Sequence, residues 1–465
     1  MLKRAPAPPL RRGEGPVDPE MRLSYQNADS SEIMDYSTGS SGMTTGARQV
    51  WYWPSQQSAE NSQTDVCHRL ASHVIDEAWL YGRKSASEVA RQVVPSTMPS
   101  EQQRELIATF AQSLSPVGTA PRRSRPPIDV IVCSTFQRIT PLVRCIRSIL
   151  SSTYTGFRLI IVRSGPRLLD LPDDILADDR VHRVDETQLG LSRARNRGWE
   201  ASQAPLVAFT DDDVVVEPDW LDEIEARFHS LPEVGCVTGL VVPAELLTPA
   251  QYRLETVVKV FVTPLTAFTL TCPNPKAVRR HVVITYLGGS QPPPLLVPIH
   301  IAAGHAGAGA NMAFRRSALP SKRPFNVTLG AGTPSKGGEE ILCFAHILAS
   351  GGSIAYSPVA TVHHFHRTEE SELREKVREM GISTSATLAV LLREDLRYGA
   401  EWAAAKAGLR LRPSTGTLDE LYSGLGTLRE PDLLRLYQAG LLLGPFHLAR
   451  SVLRARFRPY GQVPS

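Results

Sequence analysis

The feature that most constrains this chain is a run of short, wholly apolar segments alternating with helix-patterned ones. IDVIVCS (128–134), FRLIIV (157–162) and PLVAFT (205–210) have no polar alternation, as expected of strands buried on both faces of a sheet. Between them, Pro141 to Leu150 puts Leu142, Ile146, Ile149 and Leu150 on one helical face. SRARNRGWEAS (192–202) reads as a helix with Ser192 as its N-cap. RVHRV (180–184) reads as a short strand. Strands alternating with helices predict an α/β, doubly wound, mostly parallel sheet flanked by helices. Ligands of such sheets bind beyond the carboxyl ends of the strands. PLVAFT ends on Asp211-Asp212-Asp213 at such a place.

Outside this stretch the texture changes. Residues 1–64 are rich in Ser, Pro, Gly, Gln and Asn and predict disorder, with an aromatic island at Trp51-Tyr52-Trp53. Residues 65–117 carry helical spacing, and GTAPRRSRPP is a linker by composition. The sheet-forming domain is expected over 126–368, and 369–465 reads as helical again. There the stretch 433–461 mixes apolar residues with Arg450, Arg454, Arg456 and Arg458. Two readings stand for that stretch: a helix packed on the domain, or a basic amphipathic helix making peripheral contact with the inner face of a membrane.

Bulk numbers narrow the function classes. Lys+Arg 51 against Asp+Glu 47 leaves only +4 over 465 residues, which argues against nucleic-acid binding by bulk charge. Six cysteines without a C-x-x-C pair fit neither a zinc knuckle nor a disulfide framework and suggest a reducing, cytoplasmic setting. The basic, Pro-rich start lacks the apolar region of a secretory signal. The most apolar stretch, Val257 to Cys272, is interrupted by Lys259 and Pro264, so a buried or interfacial segment is expected there.

Three consecutive aspartates raise one another's pKa unless a cation neutralises them. A hard divalent ion with oxygen ligands does so and readily shares substrate phosphates. FTDDDVVVEPDW therefore points to a metal–diphosphate site, against the alternative of a solvated Asp-rich turn before the helix that starts at Pro218-Asp219-Trp220.

Six segments in order, VIVCSTFQRITPLVRCIRSIL, GLSRARNRG, FTDDDVVVEPDWL, GAGANMAFRRSAL, GAGTPSKGGEE and VHHFHR, resemble the motifs of family 2 glycosyltransferases with the GT-A fold. The resemblance covers about 126–368. It implies an inverting, metal-dependent transfer of a sugar from a nucleotide-diphosphate donor to an acceptor the sequence does not name, with Mg²⁺ or Mn²⁺ as cofactor. By the family pattern Asp211 faces the ribose side, Asp213 holds the metal, Asp212 shares either duty, and His364 completes the metal shell. Thr135 and Arg138 line the nucleobase pocket. Gly190, Arg193 and Asn196 contact the donor, together with Arg195. Asn311 lies on the acceptor side. Glu340 is the base and Glu339 the acceptor contact, with the two roles exchangeable because Glu340 replaces the usual Asp. LGAGTPSKGG (329–338) reads as a flexible lid beside them.

Some positions depart from the pattern. Arg163 stands where relatives carry a base-binding Asp, and arginine cannot accept a hydrogen bond from a base N–H. Asn326 follows Phe325 where relatives show Asp. These departures support the rival reading, a non-catalytic GT-A-fold binding protein. A nucleotidyltransferase is disfavoured because STFQRITP is not a Gly-rich, basic phosphate loop.

Overall fold

The computed structural model describes residues 125–165, 170–258, 260–261, 267–287, 295–400 and 430–457. The expectations for 1–64 and 65–117 lie outside these residues.

The three apolar runs form β1 (Ile128–Ser134), β2 (Phe157–Ser164) and β4 (Leu206–Asp211), and β3 is Val181–Glu186. Between them stand α1 (Ile139–Leu150), the short α2 (Asp173–Leu176) and α3 (Leu191–Ala201). The chain continues through β5 (Val214–Val216), α4 (Trp220–Ser230), β6 (Val234–Pro243), α5 (Pro249–Arg253), β7 (Phe268–Thr271), β8 (Val282–Tyr286) and β9 (Leu295–Val297). It then forms α6 (Ile299–Gly304), β10 (Met312–Arg315), α7 (Glu339–Ala349), β11 (Ser353–His364), α8 (Glu370–Glu394) and α9 (Pro431–Phe457).

The strands make one sheet in the order β3-β2-β1-β4-β10-β6-β11-β7-β8-β9, with β5 pairing β11. The first four strands are mutually parallel, β6 is parallel to β11, and β10 wedges between β4 and β6 antiparallel to both. The α/β architecture expected from the sequence is the one observed. Its far edge adds an antiparallel β7-β8-β9 meander, which the short runs there did not announce.

Both faces of the sheet are covered. One core gathers Ile131, Ile160, Trp199, Phe209, Phe314 and Phe344; the other gathers Val130, Val132, Ile146, Leu159, Trp220 and Val237. The two sets alternate along each strand, so each apolar run feeds both layers. At about 25 cal/mol per Å² of apolar surface removed from water, this double burial is the main stabilising term.

The Pro218-Asp219-Trp220 start is met by α4, with Asp219 at its N-cap position but without a side-chain cap hydrogen bond. Ser192 is not the cap of α3: Gly190, with φ 138°, holds that position. Ser192 sits in the first turn instead, and its hydroxyl donates to the Leu329 carbonyl at 2.8 Å.

Beyond β11 the chain forms two long helices. Gly381 on α8 and Gly440 on α9 face each other so closely that a Cβ on Gly381 would lie 2.1 Å from the Tyr437 carbonyl oxygen, and one on Gly440 would lie 2.2 Å from that of Arg378. Glycine lets the two backbones touch, and any side chain there would part them.

Candidate active site

The site forms where β1, β4 and β11 end, closed over by α3 and the loop into α7. The apolar β4 carries one polar side chain, Thr210, whose hydroxyl donates to the Ala310 carbonyl at 2.8 Å, before it leaves the sheet at Asp211. There the acidic triplet divides among four partners.

Asp211 accepts from the Arg195 guanidinium at 3.2 Å. The other terminal nitrogen of Arg195 binds Glu339 at 2.8 Å, with both side chains 3% exposed. Arg195 also donates to the Gly309 carbonyl at 3.2 Å, and a Cβ on Gly309 would lie 2.7 Å from its guanidinium. Glycine at 309 is therefore what seats the arginine. Burial works against the charge of Arg195, but Glu339 and Asp211 raise its pKa above the ordinary value. Burial pushes Glu339 upward, and repulsion from Glu340 adds to this, against the pull of Arg195. The second Glu339 oxygen is buried without a hydrogen-bond partner. Arg195, expected from the sequence as a donor contact, is the hub of the cleft. The signal available was its place among Ser192, Ala194, Asn196, Gly198 and Trp199 on the buried face of α3.

Asp212 accepts from the Ser134 hydroxyl at 2.5 Å, and burial pushes its carboxyl up to about 6. Asp213 has two cationic or basic neighbours: Arg138 donates to it at 3.0 Å, and His364 Nε2 lies 3.4 Å away. Burial would raise Asp213, but His364 and Arg138 hold it below the usual carboxylate range. His364 is itself pushed down to about 4, by burial first, with Asp213 opposing and His366 adding to the effect. Its Nδ1 meets His366 Nδ1 at 3.1 Å, and His366 Nε2 meets Glu255 at 3.2 Å. The line Asp213–His364–His366–Glu255 thus fixes the imidazole from behind. His363, on the opposite side of β11, pairs with Glu217.

The two glutamates behave differently. α7 starts from Gly338 in the left-handed region, φ 89°, which puts Glu339 and Glu340 in the first turn, where the helix dipole favours acids. Glu339 is 2% exposed and bound to Arg195, whereas Glu340 is half-buried. Charge repulsion from Glu340 raises the pKa of both Asp211 and Glu339.

Several residues expected at the ligand are occupied otherwise. Asn196 is fully buried, and its amide exchanges two hydrogen bonds with the Phe325 backbone, at 2.8 and 2.9 Å. It clamps the 325 loop and is buried away from any donor. Asn311 is equally buried. Its NH₂ donates to Leu240 and Ala360 carbonyls, and its oxygen accepts from the Trp220 indole. It ties strands together instead of facing an acceptor. The Leu191 amide at the start of α3 donates to the Ala331 carbonyl at 2.9 Å, so that amide is not open to phosphate, and Gly190 serves the close approach of loop 331–333. Arg193 is 6% exposed and lines a cavity with Gln188, Thr333 and Arg454. Thr135 is exposed at the end of β1, next to Phe136 at φ 57°. Arg163 binds Asp185 at 2.7 Å, so a carboxylate does stand beside it, supplied by β3.

The expected lid is latched. Ser335 exchanges buried hydrogen bonds with Ser451 of α9 at 3.0 and 3.2 Å, His447 meets the Pro334 carbonyl at 3.0 Å, and Lys336 pairs with Glu379 at 2.7 Å. A loop fastened to two helices at three points is not free to swing.

Residues 130–267 match the family model described as Glycosyl transferase family 2. The chain is 32% identical over 122 residues to a glucosyl-dolichyl phosphate glucuronosyltransferase of Haloferax volcanii, covering 25% of this chain and 38% of that protein. It is 28% identical over 122 residues to the putative glycosyltransferase EpsH of Bacillus subtilis, covering 25% and 33%. The chain thus spans under two-fifths of the length of these relatives. Among solved structures, a mannosyltransferase from Pyrobaculum calidifontis in complex with GDP-Man and Mn²⁺ aligns at TM-score 0.39 and 15% identity, over 85% of this chain and 99% of that one.

Proposed function

We propose that the family 2 domain transfers a glycosyl group from a nucleoside-diphosphate sugar to an acceptor hydroxyl, with inversion at the anomeric carbon. The observation that carries this reading is the Arg195 bridge. One buried guanidinium joins Asp211 at the end of β4 to Glu339 at the start of α7, so the two acid-bearing elements meet at one cleft. Both relatives are also named for glycosyl transfer.

The residues present fit a divalent cation. Asp213 is kept ionised and His364 kept neutral, the protonation states that ligands require. His366 and Glu255 orient the imidazole, as residues behind metal ligands do. Asp213 and His364 would hold the ion, and the bound ion would stabilise negative charge on the departing diphosphate. Among the described residues no group of three or more His, Cys, Asp or Glu side chains is placed to hold a metal, which leaves the remaining positions to donor oxygens and water, as Mg²⁺ sites commonly do.

Glu340 is the base in this reading, because Glu339 is committed to Arg195. The acceptor oxygen bonds to the anomeric carbon as the bond from that carbon to the diphosphate oxygen breaks. The acceptor proton goes to Glu340. Arg195 holds Asp211 and Glu339 at fixed separation while this happens. Arg163, paired with Asp185, lies 6.0 Å from the Phe136 ring centre, where the nucleobase is expected.

Arg138 favours a second reading. It already neutralises Asp213 at 3.0 Å, so a guanidinium can take the place of the ion in a metal-independent transfer. Turnover of a nucleotide-sugar panel with Mn²⁺, Mg²⁺ or chelator separates the two. The proposal expects metal-dependent transfer that falls about 10³-fold in Glu340→Gln with metal affinity unchanged. Full activity of Glu340→Gln refutes its role, and undiminished turnover in chelator selects the second reading. A chain that binds no nucleotide sugar and transfers nothing is the non-catalytic relative.

A further inference from the structure

The helix α9 presents two unlike faces. Leu433, Tyr437, Gly440, Gly444, Leu448 and Ser451 are buried, against α8 and the latched loop. On the opposite side Leu442 is 84% exposed, Phe446 61%, Leu453 53% and Phe457 83%. Their spacing of four, seven and four residues keeps all of them within one narrow stripe of a 3.6-residue helix. Ala449 lies in the same stripe and is exposed. Exposed leucines scattered singly need no explanation, but a contiguous apolar stripe does.

The charge around the stripe has one sign. Arg450 and Arg454 flank it on one side and Arg456 on the other, all exposed, and Arg435 continues it toward the N-terminus. From 433 to 457 there is no Asp or Glu. The Arg450 guanidinium lies 5.9 Å from the centre of the Phe446 ring, so cation and aromatic form one surface. No helix among the described residues is long and apolar enough to cross a membrane.

We propose that this face of α9 docks on an anionic lipid surface, with Phe446, Leu453 and Phe457 entering the headgroup–acyl boundary and the arginines pairing with lipid phosphates. A convex apolar stripe with a cationic rim is the chemistry of a helix lying in the membrane interface. A second copy of the chain is a poorer occupant, because a two-fold contact through this stripe sets arginine rows against each other. The inference stands on α9 alone and does not depend on the glycosyl-transfer reading.

The test is co-sedimentation of the full chain with vesicles of phosphatidylcholine alone or with about a third phosphatidylglycerol. Circular dichroism serves as the folding control, since all substituted positions are exposed. The expected result is binding to anionic vesicles only, weakened at least tenfold in F446S/F457S and also in R450E/R456E, and weakened by high salt. Absence of wild-type binding to anionic vesicles overturns the proposal. So does binding that both double variants retain, which would assign the contact to another part of the chain. Dimerisation in solution that F446S/F457S abolishes, without vesicle binding, assigns the face to a second copy and equally overturns it.

Discussion

The cleft contains two guanidinium–carboxylate pairs that differ in one respect, access to water. The inner one, Arg195 with Asp211 and Glu339, has arginine and glutamate at 3% exposure. The outer one, Arg138 with Asp213 and Asp212, has its arginine side chain 39% exposed. An exposed pair contributes little to stability, whereas a sealed one cannot lose a member without stranding a charge. The inner pair is therefore architecture, holding two acid-bearing elements together. The outer pair is exchangeable, since water or a cation can replace its guanidinium.

The largest effect expected from this contrast is at Arg195. Arg195→Met leaves Glu339 buried without its cation, and urea unfolding should show a loss of about 3–5 kcal/mol. Arg195→Lys should recover less than half, because one ammonium cannot serve two carboxylates in fork geometry. Stability unchanged in Arg195→Met would break the contrast at its inner end.

Glu223 sharpens it as a buried acid outside any such fork. One of its oxygens is buried without a partner, and burial, with repulsion from Asp219 and against Arg227, pushes its carboxyl up to about 7. A raised acid favours the folded state fully below its ordinary value near 4.5, and that contribution is lost as pH rises through 7. Glu223→Gln should thus be neutral at pH 4.5 and stabilising above pH 7, by about 3 kcal/mol for a rise of this order. Thermal melts across pH 4.5–8 check this, and a stabilisation that did not grow with pH would contradict it.

At the outer pair the expected effect is smaller and of opposite sense to damage. Arg138→Ala should tighten Mn²⁺ binding about tenfold, roughly 1.4 kcal/mol, because the ion no longer competes with a guanidinium for Asp213. Weaker Mn²⁺ binding in that variant would make Arg138 part of the site instead. The smallest effect is expected at the latch: Ser451→Ala should cost about 1 kcal/mol and raise hydrogen exchange in loop 329–338. Exchange there equal to wild type would mean the loop is held by other contacts.

What could be read from the sequence follows the same division. The apolar runs gave β1, β2 and β4 almost to the residue, because a strand buried on both faces leaves a continuous signature. The antiparallel edge was missed because β7 and β9 are only four and three residues long. In the site, Asp211 to Asp213 and His364 do converge, and Glu339 reaches them through Arg195. Asn196 and Asn311 look identical in sequence to ligand-binding amides. Only the three-dimensional placement of the Phe325, Leu240 and Ala360 backbones reveals that their hydrogen bonds are already spent. Arg195 is expected from the sequence as a donor contact, but its bridging role is legible only once its two acids, 16 and 144 residues away, are seen together.

The most direct test is calorimetric titration of nucleoside diphosphates, with and without Mn²⁺, into the wild-type chain and Asp213→Ala. Binding that requires Mn²⁺ in the wild type and disappears in Asp213→Ala, with its melting temperature preserved, is the predicted result. Equal binding by both proteins, or none by either for any base, would contradict a diphosphate site at the end of β4.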